Sequence, residues 1–306
     1  MRKLTVGTRG SGLALTQTNH IVERLRHVHI GIRVEVRIIK TKGDKILDVP
    51  LAKIGDKGLF VKELEQALLA REVDFVVHSM KDVPTEMPDG LCIAAVPERE
   101  DPSDALISNG LRLADLPTGA RVGSSSLRRC AQLHNHRADL EICDIRGNLD
   151  TRLRKLDEGE YDAIVLACAG LNRMGWADRI TEKLPPEICL PAVGQGALAI
   201  QARSDDADTL ALLRVLDHPE THTAIRAERA LMKSLEGGCQ VPIGALARIE
   251  DGMLVLEGVV ASLDGANVVR GRVVGPPDQP EELGAELAQV LLSAGADRIL
   301  DDLRHA

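Results

Sequence analysis

With 306 residues, 44% of them hydrophobic and 27% charged, the chain is long enough for about two globular domains. A formal charge of −8 and only four aromatic residues, Phe60, Phe75, Tyr161 and Trp176, argue against a nucleic-acid binder, which needs basic patches and stacking faces. The start, MRKLTVGTRG, lacks the apolar run of a secretory signal, and no segment reaches the ~20 apolar residues of a membrane span, so the expected location is cytoplasmic.

In chain order, KLTVGT (3–8) reads as a strand, and Ser11 is placed to cap a helix running through IVERL (21–25). VEVRIIKT (34–41) alternates as a strand does, and VKELEQALLA (61–70) is an amphipathic helix. DFVVHSM (74–80) is the short apolar run of a buried parallel strand. This order predicts an α/β lobe with a central, mostly parallel sheet. The plan then recurs. ARVGSSSLRR (120–129) repeats the strand, small-residue turn and helix start of LTVGTRGSG, and EYDAIVLACAGLNR (160–173) matches EVDFVVHSMKD (72–82). VPEREDPSD (96–104) and KLPPEICLPAVGQGALAI (183–200) cross between the two lobes. Two crossings predict a hinged cleft, with ligands at the carboxyl ends of the strands.

The tail is different. ALARI, MLVLEGVVAS and NVVRGRVVG, separated by the turn signals EDG and LDGAN, read as an antiparallel meander. A single final helix, EELGAELAQVLLSAGADRILDDLR, is expected to cover one face. The expected division is lobe 1 at residues 1–98 plus 197–216, lobe 2 at 102–192, and an α+β domain at 219–306.

Arginine is concentrated at strand-to-helix turns. Ser124, Ser125 and Ser126 precede Arg128 and Arg129, Arg146-Gly147-Asn148 precedes Arg152, Arg9 stands beside Ser11, and Arg173 follows a strand and short turn. One such arginine is ordinarily a solvated surface group. Five or six of them, beside hydroxyls and helix amino termini, predict an anion-binding cleft, and in an acidic protein a polyanionic ligand. No G-x-G-x-x-G or P-loop pattern is present, so a nucleotide is not expected. In HSMKDVP (78–84), Lys81 and Asp82 read equally well as a surface ion pair in a turn and as a carboxylate serving a cation or a leaving amine.

EGGCQVPIG (236–244) places Cys239 just past a helix carboxyl end, where the dipole disfavours a thiolate, and no histidine is near in sequence. A cysteine hydrolase is therefore poorly supported. A buried structural cysteine and a tether alkylated once both remain open. The six cysteines form no C-x-x-C pair, so disulfides are not expected. No metal is expected either: His134 and His136 are two apart on a predicted helix, and Pro219 separates His218 from His222. A transferase and a solute-binding or sensor module both suit two hinged lobes.

Taken in order, HSMKDVP, GSSSLRR, IRGNLDTRL, PAVGQGAL and EGGCQVPIG resemble the porphobilinogen deaminase (hydroxymethylbilane synthase) family over nearly the whole chain. The resemblance implies two lobes like those of periplasmic binding proteins and a third domain. It implies a transferase that joins four porphobilinogen molecules head to tail with loss of ammonia and then releases linear hydroxymethylbilane to water. It also implies a dipyrromethane cofactor on a thioether to Cys239, with Asp82 as the catalytic carboxylate. By motif match, Arg9, Ser11, Lys81, Ser124, Ser126, Arg128, Arg129, Arg146, Asn148, Arg152 and Arg173 resemble the family's binders of cofactor and substrate side chains. Lys53, Lys57 and Phe60 resemble residues of a mobile loop. The implied partner is porphobilinogen, handled by a monomer without metal, membrane or nucleic acid. Ser124 stands where threonine is frequent, which keeps the hydroxyl, and Asp56 where glycine is frequent, which adds a negative charge beside Lys57.

Overall fold

Side chains alternate across a strand, so a strand buried on both faces reads as a continuous apolar run that feeds two cores. Both α/β sheets of this chain are built that way. They are seen in a computed structural model that describes residues 3–45, 58–235 and 241–305. The described residues form two compact units, one from 3–45, 58–100 and 197–222, the other from 101–196, 223–235 and 241–305.

The first unit carries β1 (Lys3–Thr8), β2 (Arg33–Ile38), β3 (Phe75–Ser79), β4 (Leu91–Ala95) and, from much later in the chain, β10 (Leu198–Arg203). Their order is β2-β1-β3-β10-β4, with β1 parallel to β2 and β3, and β10 antiparallel to both its neighbours. Phe75 and Val77 enter one core with Leu4, Val6, Ile21 and Leu25, while Val76 faces a second with Leu64 and Leu68. Helix α1 (Gly12–Val28) starts at Ser11, whose hydroxyl accepts the Ala14 N–H at 3.3 Å. Helix α2 spans Lys62–Leu69.

The second unit repeats the design with β5 (Asp104–Ser108), β6 (Arg121–Gly123), β7 (Glu141–Cys143), β8 (Ala163–Ala167) and β9 (Glu182–Leu184), in the order β7-β6-β8-β5-β9. Here too β6 is parallel to β7 and β8, and β5 runs antiparallel to β8 and β9. The repeated plan read from the sequence is thus matched strand for strand: β6 takes the place of β1, and β8 that of β3. Each segment read as a crossing runs into a strand. LAIQAR becomes β10 and DALIS becomes β5, each inserted against the direction of its sheet. Helices α3 (Leu127–His136), α4 (Leu149–Asp157) and α5 (Cys168–Arg173) follow β6, β7 and β8. Arg173 therefore ends a short helix rather than following a turn.

Helices α6 (Ala207–Leu213) and α7 (Pro219–Ser234) lead towards the tail, where β11 (Ile243–Glu250), β12 (Met253–Ala261) and β13 (Val268–Gly275) form the expected antiparallel meander. Leu231, Leu256, Leu287 and Leu291 share its core. The final helix is broken. Helix α8 (Pro280–Leu291) passes through a wide turn, in which Gly295 takes φ +106°, to α9 (Asp297–His305). A left-handed residue cannot continue a right-handed helix, and only glycine adopts that conformation at little cost. The meander lies against the carboxyl half of α3: Asn135 donates to the Gly265 carbonyl at 3.0 Å, and a side chain at Gly265 would lie 2.3 Å from the Ala131 carbonyl. No helix among the described residues is long and apolar enough to cross a membrane.

Candidate functional site

Parallel strands place their carboxyl ends on one edge of a sheet, so the turns that follow them converge. In the first unit, Arg9 and Ser11 follow β1, and Met80–Asp82, a single 3₁₀ turn, follows its partner β3. The turn is fixed from both ends: the Met80 N–H donates to the Ala197 carbonyl at 3.0 Å and the Val83 N–H to the Met80 carbonyl at 3.0 Å. Lys81 is exposed and Asp82 half-buried. The guanidinium of Arg9 lies 4.1 Å from the centre of the Phe60 ring, a cation–π contact that gives Phe60 a place beside this edge. Lys53, Lys57 and Cys239 lie outside the described residues.

Beneath the turn, His78 is buried and donates to the Gln201 side-chain oxygen at 3.0 Å; Gln201 in turn donates to Glu65 at 3.0 Å. Burial lowers the imidazole to about 4. The Gln201 contact and the Asp82 carboxylate oppose that shift, and Arg9 adds to it. The neutral ring therefore lies within electrostatic reach of both Asp82 and Arg9. Below pH 6.5 the unfolded chain takes up a proton that the folded chain refuses, and the difference persists down to about pH 4. His78 is thus expected to make the fold lose about 3 kcal/mol as pH drops through that window. Urea midpoints measured from pH 7 to 4 should fall less steeply for His78→Asn than for the parent chain; parallel slopes would remove His78 as the cause.

In the second unit three turns meet at the equivalent edge. Ser124–Ser126 follow β6, Arg146–Asn148 follow β7, and α5 follows β8. The Ser124 N–H donates to the Cys143 carbonyl at 2.8 Å, and the Ile145 N–H donates to the Ser125 hydroxyl at 3.1 Å, so the first two turns are stitched together. The buried Ser124 hydroxyl accepts the Ser126 N–H at 3.3 Å. Ser126 and Asn148 stand at the N-cap positions of α3 and α4, and neither side chain caps its helix. Arg152 reaches back from α4 to donate through Nε to the Gly147 carbonyl at 2.9 Å, and Gly147 holds φ +113°. Arg173 donates to the Gly196 carbonyl at 2.7 Å.

The electrostatics of this edge divide its arginines in two. Burial first, and then the Arg129 and Arg146 guanidiniums, lower Arg152 to about 10. Three cations crowd one place, and Arg146 Nη1, like Arg128 Nε, is buried with no hydrogen-bond partner. Crowded cations and an unspent buried donor are the features of an anion site. Arg128 and Arg129, by contrast, are turned inward. Arg128 Nη1 lies 2.6 Å from Asp104 Oδ2 and 2.7 Å from the Leu190 carbonyl, while Arg129 lies 2.6 Å from Asp104 Oδ1 and donates to the Val165 carbonyl at 3.0 Å. Burial alone would raise the Asp104 carboxyl, but these two guanidiniums outweigh it and hold the group well below the usual carboxylate range. Burial and the neighbouring Asp104 charge push the Cys189 thiol up to about 12, which leaves it inert.

His78, Asp104, Cys189 and Gln195 do not stand out in the sequence reading. One signal was available for Asp104: two adjacent arginines at the start of a helix with no acid in its first turn need a buried counter-charge, and an aspartate heading the apolar run DALIS can supply it.

The second unit's edge thus gathers arginines and helix amino termini, and the first unit's edge carries Asp82 in a turn. The porphobilinogen deaminase dipyromethane cofactor binding domain matches residues 4–211, and the porphobilinogen deaminase C-terminal domain matches residues 222–293. Curated relatives named porphobilinogen deaminase include that of Desulforudis audaxviator, 58% identical over 99% of this chain and 98% of its own. That of Syntrophobacter fumaroxidans is 53% identical over 100% and 99%, and that of Gloeobacter violaceus 57% identical over 99% and 94%. The chain belongs to the porphobilinogen deaminase family. Among solved structures, the BvgS VFT2 domain of Bordetella pertussis aligns over 69% of this chain and 84% of its own, at 15% identity and a TM-score of 0.41.

Proposed function

We propose that this chain is the transferase that condenses four porphobilinogen molecules head to tail, with loss of one ammonia at each condensation, and yields hydroxymethylbilane for tetrapyrrole synthesis. The observation that carries the reading is the arginine edge of the second unit, where Arg129 and Arg146 depress Arg152 and Arg146 keeps an unspent buried donor. Each pyrrole of the substrate bears an acetate and a propionate, so a lengthening product is a chain of carboxylates that such an edge can grip.

The same residues fit a dipyrromethane, which carries the same side chains. We assign Arg146, Arg152, Ser126 and Asn148 to its carboxylates and those of the substrate, and Cys239 to a thioether anchor. Bound there, the group supplies the pyrrole carbon from which the chain is extended. The residues of the first unit do the rest. Asp82 accepts hydrogen bonds from pyrrole N–H groups and stabilises the positive charge that develops on porphobilinogen as ammonia leaves. Lys81, Arg9 and Ser11 hold substrate carboxylates. The Arg9 guanidinium is stacked on the Phe60 ring. The five described cysteines are free thiols, which supports a reducing, cytoplasmic setting, and we take the working unit to be a monomer.

Intact-protein mass spectrometry of the active, purified chain tests this directly. The expected mass exceeds that of the polypeptide by two pyrrole units, with the addition on the peptide containing Cys239. Active protein of bare polypeptide mass would overturn the assignment.

A further inference from the structure

Strands β2, β1 and β3 run parallel, so the stretch after β2 emerges on the same sheet edge as Arg9 and the Asp82 turn. It enters a single helical turn, Lys42–Lys45. Two contacts clasp that turn to the residues around the start of α2. The Lys42 N–H donates to Glu63 Oε1 at 2.9 Å, and the Gly43 N–H donates to the Leu59 carbonyl at 3.2 Å. The clasp sets Gly43 against Phe60. A Cβ at residue 43 would lie 2.2 Å and 2.3 Å from two carbons of the Phe60 ring, far inside the distance at which non-bonded carbons rest. Gly43 takes no left-handed φ, so its backbone would accept alanine, and it is the ring that excludes a side chain. The same ring carries the Arg9 guanidinium, 4.1 Å from its centre. Phe60 therefore touches Gly43 and Arg9 at once, and the bare Cα of Gly43 lets the ring lie where Arg9 stacks.

We infer that Gly43 is a positioning residue for the ligand edge of the first unit: lacking a side chain, it seats the Phe60 ring, and the seated ring fixes the plane of the Arg9 guanidinium. The inference rests on the transferase reading above, in which Arg9 holds a substrate carboxylate. A guanidinium grips a carboxylate through N–H groups that lie in its own plane. A ring stacked on its face restrains that plane without competing for those N–H groups. A methyl group at residue 43 must push the ring aside, and Arg9 then loses the surface that orients it.

Gly43→Ala is expected to fold, to raise the porphobilinogen KM about fivefold and to change kcat by less than about twofold. The kcat is spared because the turn that carries Asp82 is held by Ala197 and Met80. Two double-mutant cycles separate this role from plain support of the local fold. Phe60→Ala should raise KM as Gly43→Ala does, and adding Gly43→Ala to it should change nothing further, because no ring is left to displace. In an Arg9→Gln background Phe60→Ala should likewise leave KM where Arg9→Gln alone puts it. Where Gly43→Ala alone does not fold, its combination with Phe60→Ala is expected to fold and to show the KM of Phe60→Ala. Parental KM in folded Gly43→Ala would overturn the inference. So would an undiminished Gly43→Ala effect without the ring, an undiminished Phe60→Ala effect without Arg9, or a Gly43→Ala, Phe60→Ala chain that does not fold. An inactive parent chain would instead sink the transferase reading itself, so the two failures are told apart by the parent control.

Discussion

Cys239→Ser is expected to yield a folded chain of bare polypeptide mass whose consumption of porphobilinogen is below about one hundredth of the parent's. The expectation follows from the chemistry of the two atoms. A thiol ionises near pH 8.5 and its sulfur is a strong, soft nucleophile, so it can be alkylated once at carbon and then hold a thioether through many turnovers. A serine hydroxyl at the same point stays protonated and has no base beside it in sequence. In sequence Cys239 follows α7 by five residues, directly after Gly237 and Gly238. The arginine edge is untouched by this change, so the variant should still bind porphobilinogen reversibly, as isothermal titration can show. Loss of turnover with retained binding identifies Cys239 as an anchor. Parental turnover in the serine variant would rule that role out.

Much of this arrangement is legible in the sequence because periodicity and turn chemistry are local. The strands KLTVGT and DFVVHSM, the Ser11 cap and the meander after residue 243 lie where the pattern puts them. The repeat of lobe one in lobe two is visible because the same strand–turn–helix grammar builds both sheets. Missing from the reading are features fixed by distant partners. LAIQAR lies in a proline-bearing crossing, and nothing local says that it pairs antiparallel with β3, more than a hundred residues earlier. The arginines show the same limit at the site. Arg128 and Arg129 are neighbours at the start of one helix, and sequence marks both as ligand-facing. Their direction is set by Asp104, about twenty-five residues away and wholly buried. Arg146 and Arg128 look alike in sequence, yet Arg128 is turned onto Asp104 and the Leu190 carbonyl. The clustering of arginines at strand-to-helix turns is legible; which of them turn onto a buried carboxylate is not.

Asp82→Asn is the sharper test of chemistry, because it changes one charge and almost no volume. The 3₁₀ turn that carries Asp82 is fixed by backbone hydrogen bonds to Ala197 and Met80, which an amide side chain leaves alone, so the fold should survive. An amide still accepts a hydrogen bond from a pyrrole N–H. It cannot offset a full positive charge as ammonia departs. Interactions that strengthen as charge develops are those that raise kcat, and losing such a carboxylate typically costs 10²–10⁴ in rate. Steady-state assays should therefore show kcat down by roughly a thousandfold, KM changed by only about threefold, and an adduct of unchanged mass on Cys239. The carboxylate also opposes the burial that lowers His78, so removing it should drive the imidazole further down, a shift that ring-proton NMR reads without any turnover. A fall in KM and kcat together would point instead to relieved strain in substrate binding. A kcat within a few fold of the parent's would move the search for the proton-handling group to another residue of the β1–β3 edge.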